Sequence, residues 1–324
     1  MSDLSAIKHI VENTRKALLV SHIAPDGDTL GATLGLAWAF RKQGIEARLS
    51  CADPIPKRLA FLPGSEDYAP RGRTDEDVIF LIDVSDLARI GAIYEPTSFS
   101  AVPLVNIDHH ATNQMYGDVN LVDERTSTAE LILDALYYLR IPLDEKIATC
   151  LLTGIITDTQ GFRTNNTAVE SMRAAVELVE AGAPLTKITD AVFNHRPRSV
   201  IEMWGHGLSH YEFSDSIVWC AIPREILQRV EPQARSSRGL INFMSSMDGV
   251  KVAIVFREFE EGMIDVSFRS VPDIDISVIA TRFGGGGHPQ AAGCLLRGTL
   301  EEITEHIVSA ARAITNRQIP NEAR

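Results

Sequence analysis

The sequence predicts an α/β protein in which a parallel-sheet domain is joined by a helical connector to a smaller α/β domain with a mixed sheet. Two mostly apolar runs, 78–83 and 103–108, each end in a carboxylate and are typical of strands buried on both faces. Strand patterns alternate with helical patterns as far as residue 182, which favours βαβ units. After residue 211 two strand patterns follow each other across a short turn, which indicates a hairpin and hence a mixed sheet.

Hydrophobic spacing predicts the helices and strands of the first domain. The predicted helices cover residues 4–11, 30–42, 127–139, 141–157 and 167–182. The predicted strands cover residues 17–20, 46–51, 78–83 and 103–108. A strand is the alternative for residues 141–157. The second helix contains small residues that suit close packing on a sheet: Gly31, Ala32 and Gly35.

The start of the helix at 127–139 has a recognisable capping pattern. Ser127 is followed three residues later by Glu130, and this spacing predicts a capping box that satisfies the first backbone N–H groups. A structural role therefore suffices for both residues. A substrate contact from this segment, through Arg125, Ser127 or Thr128, is the alternative.

The second half of the chain opens with a helical stretch, 185–211, that is interrupted at Pro197. We expect a first domain at 1–190, a helical connector at 191–212 and a second domain at 213–324. The strands predicted in the second domain cover 217–222, 251–256, 263–269 and 292–296. Its predicted helices cover 224–230, 238–247, 275–283 and 300–315.

Composition narrows the class of function. The chain has 324 residues, of which 45% are apolar and 23% charged, and its net charge is −12. This acidity argues against a protein that grips long duplex DNA by its backbone. The four cysteines are far apart, which indicates a reducing compartment rather than a disulfide framework or a zinc site. Because we see no signal-peptide pattern and no apolar run of roughly 18 residues, we expect a cytoplasmic protein without membrane contact.

A histidine and two aspartates follow the first predicted strand. His22, Asp26 and Asp28 are separated by proline and glycine, which predicts a tight, non-helical turn at the carboxyl end of the strand. Open α/β sheets bind their ligands at that end. Imidazole with carboxylates suits Mn²⁺ or Mg²⁺ before Zn²⁺. The alternative is a turn that caps the next helix, with His22 incidental.

Three further elements end in the same residue types. Asp83 and Asp108 end the two apolar runs, His109 and His110 follow at once, and Asp158 ends a predicted helix. Isolated buried carboxylates are costly without metal or cationic partners. The number of potential ligands exceeds the need of one ion and suggests two ions that share a carboxylate. Two metals favour phosphoryl displacement, so the chemistry expected is hydrolysis of a phosphate ester or anhydride.

A glycine run near the end of the chain suggests an anion-binding segment. Consecutive glycines at 284–287 let backbone N–H groups approach a phosphate closely. The guanidinium of Arg269 could donate two hydrogen bonds to a phosphate, and His288 could donate to the same group. The run lacks the Gly-Lys-Ser/Thr ending of a phosphate-binding loop, which excludes a nucleotide triphosphatase. A flexible loop beside a surface arginine is the alternative.

Together these motifs resemble the DHH phosphoesterase superfamily, named for a triplet found here as Asp108-His109-His110. The likeness extends over essentially the whole chain. Within the superfamily the chain resembles the bifunctional oligoribonucleases that also act as 3′-phosphoadenosine-5′-phosphate (PAP) phosphatases. The other matching segments are His22-x-x-x-Asp26-x-Asp28, Ile82-Asp83, 153–158, 267–270 and 284–288.

The resemblance implies a DHH catalytic domain, a DHH-associated substrate-binding domain and two divalent ions, Mn²⁺ before Mg²⁺. It implies a first metal on His22, Asp26 and Asp83. It implies a second metal on Asp28, Asp83, His109 and Asp158, with Asp83 bridging. His110 would contact substrate phosphate or orient ligands and Asp108 would support the histidines, so that the catalytic set is Asp83, Asp108 and His110. The implied substrate-binding residues are Arg269, Ser270, Gly285, Gly286, Gly287 and His288.

The function implied is cleavage of RNA di- to pentanucleotides from one end, including linear dinucleotides, together with removal of the 3′-phosphate of PAP. A homodimer is expected from the same resemblance. One alternative is an inorganic pyrophosphatase of the superfamily, against which the glycine run and Arg269 argue. Others are an enzyme for cyclic dinucleotides or their linear products, and a non-catalytic nucleotide-binding regulator. The sequence does not decide whether RNA or DNA is the preferred substrate, or from which end the oligonucleotide is degraded.

Overall fold

A computed structural model describes residues 2–194 and 196–317. The chain divides into two compact units, Met1–His195 and Arg196–Arg324. Each unit has its own β-sheet and its own hydrophobic core. The boundary between the units falls inside the connector that the sequence predicts.

The first unit is built on a five-stranded sheet with the order β2-β1-β3-β4-β5. All neighbouring strands are parallel, which confirms the predicted parallel sheet. Its strands are β1 Lys16–Ser21, β2 Glu46–Ser50, β3 Val78–Ile82, β4 Leu104–Asp108 and β5 Val119–Val122. The edge strand β5 was not predicted, because its four residues are only half buried and therefore lack a continuous apolar run.

Seven α-helices surround this sheet in the described part of the first unit. They are α1 Ser2–Glu12, α2 Gly27–Lys42, α3 Pro96–Phe99, α4 Thr128–Tyr138, α5 Glu145–Asp158, α6 Val169–Glu180 and α7 Leu185–Thr189. The helical interpretation of 141–157 is thus confirmed over its larger part, and the strand alternative is wrong. The helix begins later than predicted because the Asp144 side chain accepts hydrogen bonds from the backbone N–H groups of Lys146 and Ile147 and so caps it there.

Helix α2 begins at Gly27, before the predicted first residue 30. The Asp26 carboxylate caps it, because its Oδ1 accepts from the backbone N of Asp28 at 3.1 Å and of Thr29 at 3.2 Å. The prediction of a non-helical turn through Asp28 was therefore wrong. As a consequence, Asp28 lies in the first helical turn, where the positive end of the helix dipole favours a carboxylate.

The small residues of α2 pack against α5 rather than on the sheet. A Cβ at Gly31 would lie 2.4 Å from the carbonyl oxygen of Cys150, and one at Gly35 would lie 2.5 Å from Leu151. The expected packing partner was thus wrong for both glycines. Glycine at these two positions lets α2 and α5 approach closely, because a side chain at either one would clash with α5.

The second unit contains a six-stranded mixed sheet with the order β10-β11-β9-β8-β7-β6. Only β7 and β8 pair in parallel among the described strand pairs of this sheet, so the predicted mixed sheet is confirmed. Its strands are β6 Glu212–Ser214, β7 Ile217–Ile222, β8 Val252–Glu260, β9 Met263–Ser270, β10 Gly286–His288 and β11 Ala291–Arg297. Its helices are α8 Arg198–Ser209, α9 Arg224–Leu227, α10 Arg238–Ser245, α11 Ser277–Arg282 and α12 Leu300–Arg317.

The glycine run is partly a strand. Gly286 and Gly287 belong to β10 and pair with β11, whereas the sequence predicted no strand at the glycine run 284–287. A Cβ at Gly287 would lie 2.5 Å from the carbonyl oxygen of Ala291, and the φ angle of Gly287 is 142°. Glycine is needed here because the two strands approach closely. Among the described residues, no helix is both long and apolar enough to cross a membrane.

Candidate metal centre

The carboxyl ends of neighbouring parallel strands bring three of the predicted site segments together. His22 follows β1, Asp83 follows β3, and Asp108 ends β4. All three side chains are buried. Two further carboxylates reach the same edge of the sheet from helices, Asp28 from the first turn of α2 and Asp158 from the last residue of α5. This is the edge at which open α/β sheets place their ligands.

His22 directs its Nε2 atom at two carboxylates. Its Nδ1 lies 2.7 Å from the carbonyl oxygen of Ile23 and donates to it. The Nε2 atom, 3.4 Å from Asp83 Oδ2 and 3.9 Å from Asp26 Oδ1, therefore offers a lone pair on the side of the carboxylates. Burial opposes protonation of this ring, but hydrogen bonding and charge from Asp83 outweigh burial and raise the pKa of His22.

His109 repeats this arrangement on the other side of Asp83. Its Nδ1 lies 3.1 Å from the carbonyl oxygen of Arg125 and donates a hydrogen bond to it. Its Nε2 lies 3.3 Å from Asp158 Oδ2, 3.7 Å from Asp83 Oδ1 and 4.0 Å from Asp28 Oδ2. A backbone carbonyl thus sets the tautomer of each histidine, as is usual for metal-ligating imidazoles.

Asp83 lies between the two histidines. Its Oδ2 faces His22 and its Oδ1 faces His109. The Oδ1 atom also accepts a hydrogen bond of 3.0 Å from the Thr128 hydroxyl. The backbone of Asp83 is left-handed, with φ 63°, a conformation that is uncommon outside glycine and concentrates at functional sites. One carboxylate can therefore serve two ligand sets.

Asp28 caps helix α4 from a distant part of the chain. Its carboxylate accepts from the backbone N of Thr128 at 2.6 Å and of Ala129 at 3.0 Å. The capping box predicted for Ser127 and Glu130 was wrong, because the Ser127 side chain makes no capping hydrogen bond and Asp28 takes its place. Complete burial, followed by the charges of Asp158 and Asp83, raises the pKa of Asp28 well above its ordinary value.

Asp108 supports His110 rather than facing the other carboxylates. Asp108 Oδ1 accepts from His110 Nδ1 at 2.7 Å, and Asn113 donates to its Oδ2. Burial opposes ionisation, but hydrogen bonds from His110 and Asn113 outweigh it and lower the pKa of Asp108. The hydrogen bond to Asp108 in turn raises the pKa of His110. Sequence reasoning missed Asn113, which no motif marked.

Three groups of side chains in the described residues bring potential metal-ligand atoms within 4.8 Å of one another. The groups are His22, Asp26 and Asp83; Asp28, His109 and Asp158; and Asp83, His109 and His110. Each group combines imidazole nitrogen with carboxylate oxygen, the donor set of a divalent cation such as Mn²⁺. Asp28 and Asp83 are also buried, and a buried carboxylate needs a cationic partner in order to be ionised. The residues therefore fit divalent metal ions.

The predicted substrate-binding residues lie in the second unit, on neighbouring strands. Arg269 pairs with Ala291 across β9 and β11, and Ala291 pairs with His288 across β11 and β10. Directly paired residues point to the same face of a sheet, so Arg269 and His288 share a face. Arg269 Nε donates to Asn242 Oδ1 at 3.2 Å, a partner that sequence reasoning missed. The Ser270 hydroxyl instead donates to the carbonyl oxygen of Ile274 at 2.6 Å.

Comparison with known proteins assigns the chain to a family. The DHH family, N-terminal domain, matches residues 16–155, and the DHHA1 domain matches residues 226–316. The bifunctional oligoribonuclease and PAP phosphatase NrnA of Thermus thermophilus is 35% identical over 91% of this chain and 88% of its own length. The chain belongs to the DHH family. NrnA of Bacillus subtilis is 25% identical to this DHH protein, over 85% of this chain and 88% of its own.

The fold of this DHH protein is also similar to that of a solved structure. An exopolyphosphatase-related protein from Bacteroides fragilis superposes with a TM-score of 0.86 at 25% identity, covering 97% of this chain and 98% of that one. The cyclic-di-AMP phosphodiesterase GdpP of Geobacillus thermodenitrificans is 26% identical over 94% of this chain, which spans only 48% of that relative. The likeness to NrnA extends over nearly the full length of both chains.

Proposed function

We propose that this DHH protein is a metal-dependent phosphodiesterase that degrades short RNA oligonucleotides, including linear dinucleotides, to mononucleotides and removes the 3′-phosphate of PAP. The observation that supports it best is the position of Asp83 between His22 and His109 at the carboxyl edge of the parallel sheet. The substrate class follows from the likeness to NrnA proteins, which are named as oligoribonucleases and PAP phosphatases.

We propose two ions at this centre, with Mn²⁺ as our assignment and Mg²⁺ as the alternative. The first ion would bind His22, Asp26 and Asp83, and the second Asp28, His109 and Asp158, with Asp83 shared between them. When bound, such ions would stabilise negative charge on the phosphoryl oxygens and would lower the pKa of the attacking water. The protein's part is to hold neutral imidazoles and ionised carboxylates in place before substrate arrives.

We propose that His110 acts on the substrate. Hydrolysis forms a bond between water oxygen and phosphorus, breaks the phosphorus–oxygen bond to the leaving group and transfers a proton to that oxygen. Asp108 accepts from His110 Nδ1, Asn113 donates to Asp108, and the His110 ring is partly exposed. A protonated His110 would donate to the phosphoryl oxygens as their charge grows. Asp108 would act by orienting this ring.

We propose that the second unit binds the nucleotide through the face shared by Arg269 and His288. The guanidinium of Arg269 is oriented by Asn242 and suits a phosphate. Ser270 and the glycines 285–287 would contribute backbone to the same surface. In this proposal residues 1–190 form the catalytic domain, residues 191–212 form the connector between the domains, and residues 213–324 form the substrate-binding domain.

We further propose a cytoplasmic homodimer. All four cysteines are free and buried, which suits a reducing compartment. Helix α6 exposes apolar residues at helical spacing, and this stripe supports association of two copies: Val169, Met172, Val176 and Val179. Long duplex DNA is not a partner in this proposal, since the net charge is −12.

The proposed function is tested by turnover with Mn²⁺. The substrates are a 5′-phosphorylated RNA dinucleotide, PAP and pyrophosphate, each with wild type and Asp83→Asn. We expect mononucleotide release and PAP dephosphorylation, both abolished by the substitution because it removes the shared ligand. Turnover of pyrophosphate alone would identify a pyrophosphatase instead. Absence of any turnover would favour a non-catalytic nucleotide-binding protein.

A further inference from the structure

A cavity of about 470 Å³ opens beside the DHH histidines in the first unit. Its volume is within the range of pockets that hold small ligands. Both His109 and His110 line it, so a molecule in this cavity would border the proposed metal centre. Ala111, which follows these histidines, also lines it. The other lining residues come from the segment before α4 and its first turn, and from the segment that leads into α6 and its first turn.

Glu130 is the unusual residue of this cavity. It lies in the first turn of α4, its side chain is 4% exposed, and its Oε1 accepts no hydrogen bond from any residue that the structure describes. A buried carboxylate oxygen without a donor costs folding free energy, so such atoms in native proteins call for a partner. The capping role that would have explained Glu130 is absent, because Asp28 caps α4. A ligand in the cavity can supply the donor.

The charges around the cavity select the kind of ligand. Arg125, the single arginine or lysine among the described residues that line it, is engaged by Asp134 at 2.8 Å and by Asp123 at 3.5 Å. Glu124 and Glu170, both exposed, also line the cavity. Acidic side chains disfavour a phosphate here. A neutral group with hydroxyl donors suits a carboxylate acceptor, and a ribose has such donors.

We propose that this cavity binds the 3′-terminal ribonucleoside of a short oligonucleotide, with Glu130 accepting a hydrogen bond from the ribose 2′-hydroxyl. The proposal rests on the proposed function and adds how the enzyme selects RNA. In a 5′-phosphorylated dinucleotide the 5′ nucleoside carries the terminal phosphate as well as the bridging one. The 3′ nucleoside carries the bridging phosphate alone, so it suits the acidic cavity better. Ser171 hydrogen-bonds the Glu130 carboxylate, but Oε1 has no partner among the described residues. DNA lacks the 2′-hydroxyl and would leave Oε1 without a donor.

The test compares two dinucleotides that differ in one atom. These are 5′-phosphorylated diadenylate with ribose, or with 2′-deoxyribose, at the 3′ residue. We expect wild type to cleave the ribose form about tenfold more efficiently, judged by kcat/KM. Glu130→Gln, which removes the charge at nearly constant volume, should reduce this preference about fivefold, because a neutral acceptor binds a hydroxyl more weakly. Glu170→Gln, another acidic residue lining the cavity, is the matched control and should retain the preference.

The outcomes separate this inference from the proposed function. PAP corresponds to the 5′ nucleotide of diadenylate together with the scissile phosphate, and it lacks the 3′ nucleoside. Turnover of PAP therefore depends on the metal centre and does not require binding in this cavity. If wild type cleaves PAP and diadenylate but shows no ribose preference, the inference is wrong and the proposed function stands. An equal loss on both dinucleotides in Glu130→Gln would also overturn it. If wild type cleaves neither PAP nor diadenylate, both proposals fail.

A binding measurement gives a readout without turnover. Adenosine and 2′-deoxyadenosine are titrated into the metal-free wild-type protein and followed by NMR. We expect shifts at the amides of α4 and a weaker response to the deoxynucleoside. Equal binding of the two nucleosides, or no perturbation near α4, would contradict the assignment. This measurement needs no substitution and therefore does not depend on how well a Glu130 variant folds.

Discussion

At the scale of single residues, Thr128 connects two of the candidate metal ligands. Its hydroxyl donates to Asp83 at 3.0 Å, and its backbone N donates to Asp28 at 2.6 Å. The residue is fully buried at the start of α4. Both carboxylates are thus oriented by one residue that is not itself a ligand. Such supporting contacts commonly decide metal affinity.

Replacing Thr128 with valine removes the hydroxyl at similar volume and keeps the backbone hydrogen bond. We expect Mn²⁺ affinity to fall about tenfold, because Asp83 loses the donor that orients its Oδ1. Isothermal titration calorimetry measures the change. Thr128→Ser retains the hydroxyl and should bind like wild type. Equal affinity of wild type and Thr128→Val would show that Asp83 is oriented by other contacts.

Gly154 provides the space in which Asp28 lies. A Cβ at this position would be 2.6 Å from Ala129 Cβ and 2.7 Å from Asp28 Oδ1. We expect Gly154→Ala to lower the free energy of unfolding by about 1–3 kcal/mol, because α4 or Asp28 must move, and to weaken Mn²⁺ binding as well. Urea denaturation and calorimetry measure the two effects.

The control for Gly154 is a helical glycine in open space. A Cβ at Gly205 of α8 would meet nothing within 4 Å. Gly205→Ala should therefore raise stability by about 0.5–1 kcal/mol through helix propensity alone. If both substitutions stabilised the protein, the close packing at Gly154 would not be significant.

At the scale of elements, three helices that border the candidate metal centre, α2, α4 and α5, are each capped at the N-terminus by an aspartate. Asp26 caps α2, Asp28 caps α4, and Asp144 caps α5 by accepting from the backbone N of Lys146 and Ile147 at 3.1 Å. The first two caps are also candidate ligands. Their carboxylates are thereby held by helix ends, whose dipoles favour negative charge. Asp144 is the cap that can be changed without touching the centre.

Removal of the α5 cap tests this account through its pH dependence. Burial opposes ionisation of Asp144, but hydrogen bonds from Ile147 N–H and Lys42 outweigh it and lower its pKa. A lowered folded pKa gives stability that is present above the unfolded value, about 3.9, and is lost as pH falls through the folded value.

We therefore expect Asp144→Ala to lower the free energy of unfolding by about 1 kcal/mol at pH 7. The difference from wild type should shrink below about pH 4 as the wild-type carboxylate becomes protonated. Denaturant unfolding across this pH range measures it. Asp144→Asn keeps an acceptor and should stay near wild type at neutral pH. A difference that is constant down to pH 2 would contradict an ionised cap.

At the scale of the whole molecule, α6 presents an apolar stripe to solvent. Val169, Met172, Val176 and Val179 are exposed and lie at spacings of three and four residues, so they share a face of the helix. A contiguous apolar face that is exposed to solvent commonly marks a protein–protein interface. In the proposed homodimer this face is buried against a second copy.

A charge on this stripe should separate the proposed dimer. We expect wild type to have the mass of a dimer in light scattering and Val176→Glu to have that of a monomer, because the carboxylate would be desolvated in the interface. Ile201→Glu, which changes another exposed apolar residue on α8, is the control and should stay dimeric. A monomeric wild type, or a dimer that tolerates Val176→Glu, would argue against this interface.

The fold could be predicted where local pattern and burial agree. The buried strands β1, β3 and β4 are mostly apolar runs, and their last residues or the next ones are predicted site residues. Edge strands gave no such pattern, so β5 and β10 were missed. Their positions depend on hydrogen bonds to a neighbouring strand, which the residues of the strand itself do not specify.

By itself the sequence determined the candidate ligand residues, their order and the strand ends that place them, because these depend on short-range spacing and on the rule that parallel strands share one edge. Only the tertiary structure decided that Asp28 caps α4 across 100 residues of chain, that Thr128 orients Asp83, and that Glu130 Oε1 accepts no hydrogen bond from the described residues. Those facts are distances between segments far apart in sequence, and packing of the helices on the sheet sets them.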